Sequence, residues 1–245
     1  MCGYGYQRTL RVERMGRVPY GPMHDLQQIR QGEVATGEAD DTLFLLEHDP
    51  VITLGRNSGD GHVLVDREVL AARGVELFAT GRGGDVTYHG PGQVVGYPIV
   101  ALQEDERDIK AYVGWLEEIM IRTAAAFGVE AGRVDGLRGI WVGNDKIGAV
   151  GVRIAQWTTL HGFALNVSTH LDDFSMIVPC GLHGRGVTSL ARLLGQAPAI
   201  ADVEERLAEH AGMMLNRRTQ GYPATPLPRA DHPATAPQPT ARVPA

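Results

Sequence analysis

The clearest periodicity in the chain runs from Ile109 to Phe127. Apolar residues at Ile109, Tyr112, Val113, Leu116, Met120, Ala124 and Phe127 recur at the three-and-four spacing of a single helix face. Asp108 or Asp105 offers a side-chain oxygen for the first turn, and Gly128 offers the stop. Pro22 suits the first turn of another helix, where its missing N–H costs nothing, with Leu26 and Ile29 facing the core. Asp66–Arg73, ending at Gly74, Thr188–Leu194 and Asp202–Leu215 read as further helices. Short apolar runs predict strands at Leu10–Arg14, Thr42–Glu47, Val51–Leu54, Val75–Thr80, Gln93–Val100 and Thr159–Val167. Pro98 lacks a ladder donor and so places Gln93–Val100 at an edge or a bulge. Gly143-Asn144-Asp145 is a turn signal, and Gly139–Val142 and Lys146–Arg153 flank it as a hairpin. Strands and helices mix without regular alternation, which predicts one α/β (α+β) domain with a mixed β-sheet flanked by helices. The segment from Gln220 onward holds 7 of the 14 prolines and little to bury, so residues 1–219 are expected to form the domain and 220–245 a disordered tail.

Composition narrows the function. At 245 residues and 43% apolar content, the chain can bury a real core. A net charge of −6 argues against nucleic acid as the main partner. The two cysteines, Cys2 and Cys180, do not suggest a structural disulfide. The first residues carry no apolar signal region, and there is no apolar run long enough for a membrane helix. A cytoplasmic protein with no membrane partner is expected.

Three features carry chemistry. Cys180 lies between Pro179 and Gly181, turn formers rather than core formers. A free cysteine is more often a small buried hydrophobe, but Lys146, His183 and Arg185 are cations that could favour the thiolate. Lys146 opens a strand after the hairpin turn; it is either a solvated lysine or, if that strand end abuts Cys180, a partner to the thiol. The densest segment is Arg82-Gly83-Gly84-Asp85-Val86-Thr87-Tyr88-His89-Gly90-Pro91-Gly92-Gln93. It is not a P-loop, since no Gly-Lys-Ser/Thr follows, and it leads into a strand rather than into the helix of a dinucleotide fingerprint. Polar residues interleaved with glycine read as one wall of a binding cleft. His89, His161 and His183 have no metal-ligand spacing, and no metal or cofactor is expected.

At these residues the chain resembles the lipoyl(octanoyl) transferases. The likeness rests on Arg82–Gln93 followed by Gly96-Tyr97-Pro98, on Glu47-His48 with Thr53-Leu54-Gly55-Arg56, and on Lys146-Ile147 through Gly151-Val152-Arg153. It continues through Thr159, His161-Gly162, Asn166-Val167, Pro179-Cys180-Gly181 and Val187-Thr188-Ser189-Leu190, in order over residues 10–215. The resemblance implies a fold related to the catalytic domains of biotin and lipoate protein ligases. It implies transfer of octanoyl, or lipoyl, from acyl carrier protein to lipoyl domains of 2-oxoacid dehydrogenases and to the glycine cleavage H protein. It implies Cys180 as the acyl-carrying nucleophile and Lys146 as its partner. Arg82, Gly83, Gly84, Asp85, Val86, Thr87, Tyr88 and His89, then Ala149, Val150 and Gly151, then Gly162, Phe163 and Ala164, match the family's substrate-contacting segments. Ala155-Gln156-Trp157 departs from the basic-Gly pair that many relatives carry there.

The residues suit such a reaction. Thioester exchange onto Cys180 is near-even energetically and needs no ATP, and amide formation is downhill. Small residues at Gly148, Ala149, Gly151, Gly162 and Ala164 leave room for an acyl slot between two strands. Acidic carriers would need local basic surface, for which Arg56, Arg82, Arg138, Arg153 and Arg185 are candidates. The competing readings are an ATP-dependent lipoate or biotin ligase on the same scaffold, a non-catalytic carrier-binding protein and, more remotely, a cysteine protease.

Overall fold

The computed structural model describes residues 8–59, 61–178 and 184–228. In chain order its elements begin with β1 (Arg8–Val18), α1 (Tyr20–Thr36), β2 (Asp41–His48), β3 (Val51–Leu54), α2 (Arg67–Ala72), β4 (Glu76–Ala79), β5 (Val86–His89) and β6 (Gln93–Ile99). There follow α3 (Ile109–Ala126), β7 (Gly132–Val134), β8 (Leu137–Val142), β9 (Asp145–Ala155) and β10 (Thr158–Asn166). The last are β11 (Gly186–Val187), α4 (Leu190–Leu194), α5 (Ile200–Met214) and β12 (Arg217–Tyr222).

The large sheet runs β12-β1-β2-β6-β10-β9-β8-β7, with β11 beside β9, and a small sheet runs β4-β3-β5. β1 lies parallel to both β2 and β12, whereas β2–β6, β6–β10 and β10–β9 are antiparallel, so the sheet is mixed as expected. The unbroken apolar run of β2 follows from burial on both faces. Leu43 and Leu45 join a core beneath α3 and α5, while Phe44 and Leu46 join a second core beneath α1. α3 begins as its sequence dictates: Asp108 accepts hydrogen bonds from the N–H groups of Lys110 (2.8 Å) and Ala111 (3.0 Å). Among the described residues no helix is long and apolar enough to cross a membrane.

Three expectations are corrected. Ile29 is 50% exposed, because the buried stripe of α1 runs through Met23, Leu26, Gln27, Arg30 and Val34. Two polar residues on that stripe disguise it; Arg30 is buried against Glu13 (3.0 Å) and Thr42 (2.7 Å). Pro98 is not at an edge. It sits in β6, inside the sheet, opposite Leu43 of β2. On its other side the β6–β10 ladder stops at Gly96–Phe163 and resumes only at Ala101–Thr158, and in the gap Thr159 donates its hydroxyl to the Pro98 carbonyl at 2.7 Å. The ladder thus opens where the proline has no N–H to give. Finally, the expected boundary at 219 falls inside β12, which adds Gln220–Tyr222 to the sheet beside β1. Arg217 anchors that strand on Asp41 at 2.8 Å, and the Thr225 N–H binds Glu13 at 2.8 Å. Residues 229–245 of the expected tail lie outside the described residues.

Candidate active site

A cavity of about 540 Å³ opens beside β9 and β10, walled by the Gly-rich segment. Its lining includes Arg82, Gly83, Gly84, Asp85, Val86, Thr87, His89, Lys146, Ala149, Val150, Gly151, Gly162, Phe163 and Ala164. The structure thus gathers at one cavity three segments that lie far apart in sequence. Tyr88 is not part of that lining. Its side chain packs into the core of the small sheet, where its hydroxyl donates to Asp173 at 2.8 Å and its ring meets Phe174 edge-on. Burial and the Asp173 carboxylate push its pKa up. Phe163 and Val150 border the cavity but carry their side chains to the core under α3.

The Gly-rich wall is held from within. Arg82 donates to the Thr53 carbonyl at 2.7 Å and to the Thr53 hydroxyl at 2.9 Å. Gly83 donates its N–H to the Val152 carbonyl at 2.8 Å, which ties the wall to β9. Gly55 must be glycine for this packing, since a Cβ there would strike the Gly84 carbonyl. Asp85 accepts from the Val86 N–H at 2.7 Å and lies 2.8 Å from His62 Nδ1. Arg82 is only 7% exposed, so it belongs to this wall and not to a docking rim. Arg56, Arg138, Arg153 and Arg185 are exposed.

Lys146 enters from the start of β9, half-buried, with Nζ 4.8 Å from the centre of the Trp141 ring. Arg185 lies over the same ring at 5.1 Å. Cys180 and His183 fall within 179–183, outside the described residues. The chain that follows them returns to Lys146: β11 pairs Gly186 with Asp145 and Val187 with Lys146, and the Thr188 N–H donates to the Lys146 carbonyl at 2.9 Å. A polar chain links this strand end to the Gly-rich wall. His89 Nδ1 donates to Gln93 Oε1 at 2.6 Å, Gln93 donates to Asn166 Oδ1 at 2.9 Å, and Asn166 donates to the Thr188 carbonyl at 3.0 Å. Gln93 and Asn166 were legible only as motif members; their joint role needs three strands brought together.

Sequence reasoning named His89 as a site residue and Tyr97, His48 and His161 only as motif members; it missed Tyr20 and the grouping of Tyr20, Tyr97, His89 and His161 at the cavity, with His48 packed behind them. His48 Nδ1 donates to the Val18 carbonyl at 3.0 Å, and its Nε2 lies 2.7 Å from the Tyr97 hydroxyl. Burial lowers the pKa of His48 to about 4, and burial with nearby cationic groups lowers His89 and His161 to about 3. All three are neutral at pH 7. No group of three metal-ligating side chains occurs among the described residues.

The small residues of β9 and β10 are more specialised than their size suggests. Gly151 pairs with Gly162, and Ala149 with Ala164. A Cβ on Gly151 would lie 3.2 Å from both the Arg82 side chain and the Gly83 carbonyl; one on Gly148 would lie 2.8 Å from the Met120 sulfur; one on Gly162 would strike the Gly96 carbonyl. These glycines permit close approach, and the open room lies over Ala149 and Ala164.

Known proteins match this chain in sequence and in fold. Residues 20–212 match the lipoyl protein ligase A/B catalytic domain. An octanoyltransferase of Chloroflexus aurantiacus is 49% identical over 208 residues, covering 84% of this chain and 93% of that one. One of Solibacter usitatus is 47% identical over 203 residues, covering 83% and 91%. One of Myxococcus xanthus is 46% identical over 206 residues, which are 82% of this chain but 58% of that longer one. In fold, the chain is similar to lipoate-protein ligase A bound with ATP (TM-score 0.70, 17% identity, 89% and 90% covered). It is also similar to a bipartite lipoate protein ligase of Thermoplasma acidophilum (TM-score 0.66, 16% identity, 89% and 88% covered). With the catalytic-domain model matching residues 20–212 and nearly half of the residues shared with octanoyltransferases over most of its length, this chain belongs to the octanoyltransferase family, acyltransferases built on the lipoyl protein ligase A/B catalytic domain.

Proposed function

We propose that the cavity holds a medium-chain acyl group, carried as a thioester on Cys180, and that Lys146 serves both halves of its transfer. The observation that carries this reading is Lys146 at the edge of the cavity lining, on a strand paired with the chain that follows Cys180. In the first half, the Cys180 thiolate attacks the carbonyl of an octanoyl thioester on acyl carrier protein, and the carrier's thiolate leaves, taking a proton from the Lys146 ammonium and leaving Lys146 neutral. Lys146, as a cation, favours the thiolate. In the second half, a lysine amine of a lipoyl domain attacks the Cys180 thioester. Neutral Lys146 accepts the proton lost by that amine, the amide forms, and the thiolate is restored. The acceptors are the lipoyl domains of 2-oxoacid dehydrogenases and the glycine cleavage H protein, in the cytoplasm. The neutral imidazoles and phenols around the cavity fit an uncharged chain, and the buried guanidinium of Arg82 is engaged by Thr53.

The test is intact-protein mass spectrometry after incubation with octanoyl-acyl carrier protein, alongside Cys180→Ala. The reading expects a thiol-labile octanoyl adduct that is absent in Cys180→Ala and is discharged by an apo lipoyl domain. Transfer without any adduct would rule out the covalent step. Activity that needs ATP and a free acid would replace this reading with a ligase.

A further inference from the structure

Lys146 reaches the cavity through an irregularity in β9. Ala149 lines the cavity, and strict alternation back along the strand would send residue 146 to the α3 side, where Gly148 meets the Met120 sulfur. The β8–β9 ladder prevents this. Ile140 pairs with Gly148 and Trp141 with Lys146, so one step along β8 spans two along β9, and Ile147 has no counterpart in that ladder. This is a β-bulge, which re-aims the side chains beside it. Ile147 turns into the core beneath α3, and Lys146 comes out at the cavity.

The same bulge sets Trp141 directly across from Lys146, on the same side of the sheet. Trp141 is 3% exposed and does not line the cavity; Ile140 before it and Val142 after it pack toward α3. The Lys146 Nζ stands over the indole face, 4.8 Å from its centre, and the Arg185 guanidinium stands over the same ring at 5.1 Å. An aromatic face attracts a cation, and more strongly where both are withdrawn from water. Lysine carries its charge on a flexible four-carbon stem, so a fixed ring beneath the ammonium limits where it can stand. From the other side, Val187 of β11 pairs with Lys146, and the Thr188 N–H binds its carbonyl. Arg185 belongs to the chain returning from Cys180, so one indole gathers both the lysine and that returning chain.

We propose that Trp141 is a positioning residue, whose indole face holds the Lys146 side chain at the edge of the cavity. What Lys146 does there rests on the acyl-transfer reading above. Trp141 touches no reacting atom and acts through Lys146.

The experiment uses the full chain and has two arms. In the first, octanoyl transfer from acyl carrier protein to an apo lipoyl domain is timed for the wild type, Trp141→Phe and Trp141→Leu. Trp141→Leu should lower kcat about three- to thirtyfold while KM for the carrier moves less than about twofold. Trp141→Phe keeps a ring face and should recover most of the loss. Because leucine could disturb the fold, the wild type is also made with mono- and tetrafluorinated tryptophan, which keep the ring's shape and weaken its pull on a cation. Its kcat should fall as fluorine is added. The same labels in Trp141→Phe, where only Trp115 and Trp157 carry them, should change kcat little. Equal kcat in Trp141→Leu and the wild type, or no response to fluorine, overturns the proposal. The second arm reads the contact itself. The chain has two lysines, Lys110 and Lys146, so a ¹³C-lysine NMR spectrum gives one signal set from the site and one internal control. The ring should displace the Lys146 methylene signals upfield, and Trp141→Leu should return them toward those of Lys110. Lys146 signals that do not move between the two proteins overturn the proposal. A wild type that transfers no octanoyl overturns the acyl-transfer reading, and the lysine spectrum then still decides whether Trp141 holds Lys146.

Discussion

Strands β9 and β10 present one face to α3 and the other to α1 and the Gly-rich wall. Toward α3 they carry Ile147, Phe163 and Leu165, with Val150 and Val152 at the margin. Toward the wall they carry Ala149, Gly151 and Ala164, and there the cavity lies. The same two strands thus build a core with one set of alternate residues and a binding space with the other. Because neighbouring side chains point oppositely, stability and ligand binding can be changed separately along a single strand, apart from Ile147, where the β8–β9 register shifts, and His161, which its backbone moves from one set to the other.

The strongest way to sharpen this contrast lies at the cavity. Lys146→Ala should lower kcat by about 10²–10⁴-fold, the range of a lost general base, while the Tm moves little. Steady-state transfer assays beside calorimetry check this, and normal turnover would remove Lys146 from the chemistry. On the filled face, Leu165→Ala should cost about 2–5 kcal/mol of stability in urea denaturation, with catalysis by the folded protein nearly intact. A cost below about 1 kcal/mol would break the contrast from that side. On the bare face, Ala149→Phe should reduce acyl loading at least tenfold, yet change stability by less than Leu165→Ala does, because Ala149 is only half-buried. Loading followed by mass spectrometry decides it, and undiminished loading would place the chain elsewhere.

Acid should weaken the imidazole group at the cavity. His48, at about 4, and His89 and His161, at about 3, all lie below the reference value of about 6.5. Between those values the unfolded chain binds protons that the folded chain refuses. Stability is therefore complete above about pH 6.5 and declines as the pH falls toward 4. Melting curves from pH 7.5 to 5 should show this decline, and it should be shallower in His89→Gln. The smallest effect is expected at the rim. Arg138→Glu should raise KM for an acidic carrier a few-fold at low salt and by less in added salt, an exposed charge being worth about 1 kcal/mol or less.

Much of the fold was legible where a local rule dominates. The apolar spacing of α3, its Asp108 cap and the hairpin between β8 and β9 depend on neighbours in sequence, and they appear nearly as read. The candidate site was legible as motifs: the Gly-rich wall, Lys146 and the small residues of β9 and β10 do meet at one cavity. Tyr88 was not separable from its neighbours, because the turn of a side chain away from a cavity leaves no mark in composition. Gln93 and Asn166 gave no sign of the chain of hydrogen bonds that joins them, which spans strands far apart in sequence.

By itself, the sequence determined where most of the longer helices and strands lie, which residues are small or charged, and the order of segments that identifies the family. These are properties of short windows, in which backbone propensity and side-chain period act directly. Tertiary structure decided which polar residues could be buried and which way exceptional residues face. Arg30 lies in the core because Glu13 and Thr42 reach it from other strands. Arg217 converts part of an apparent tail into a sheet edge because Asp41 meets it from a strand far earlier in the chain. Pro98 sits inside the sheet because the β6–β10 ladder opens beside it, and His161 faces the cavity because its φ is +61°. In each case the burial or the strain is offset by a group that only folding brings within reach.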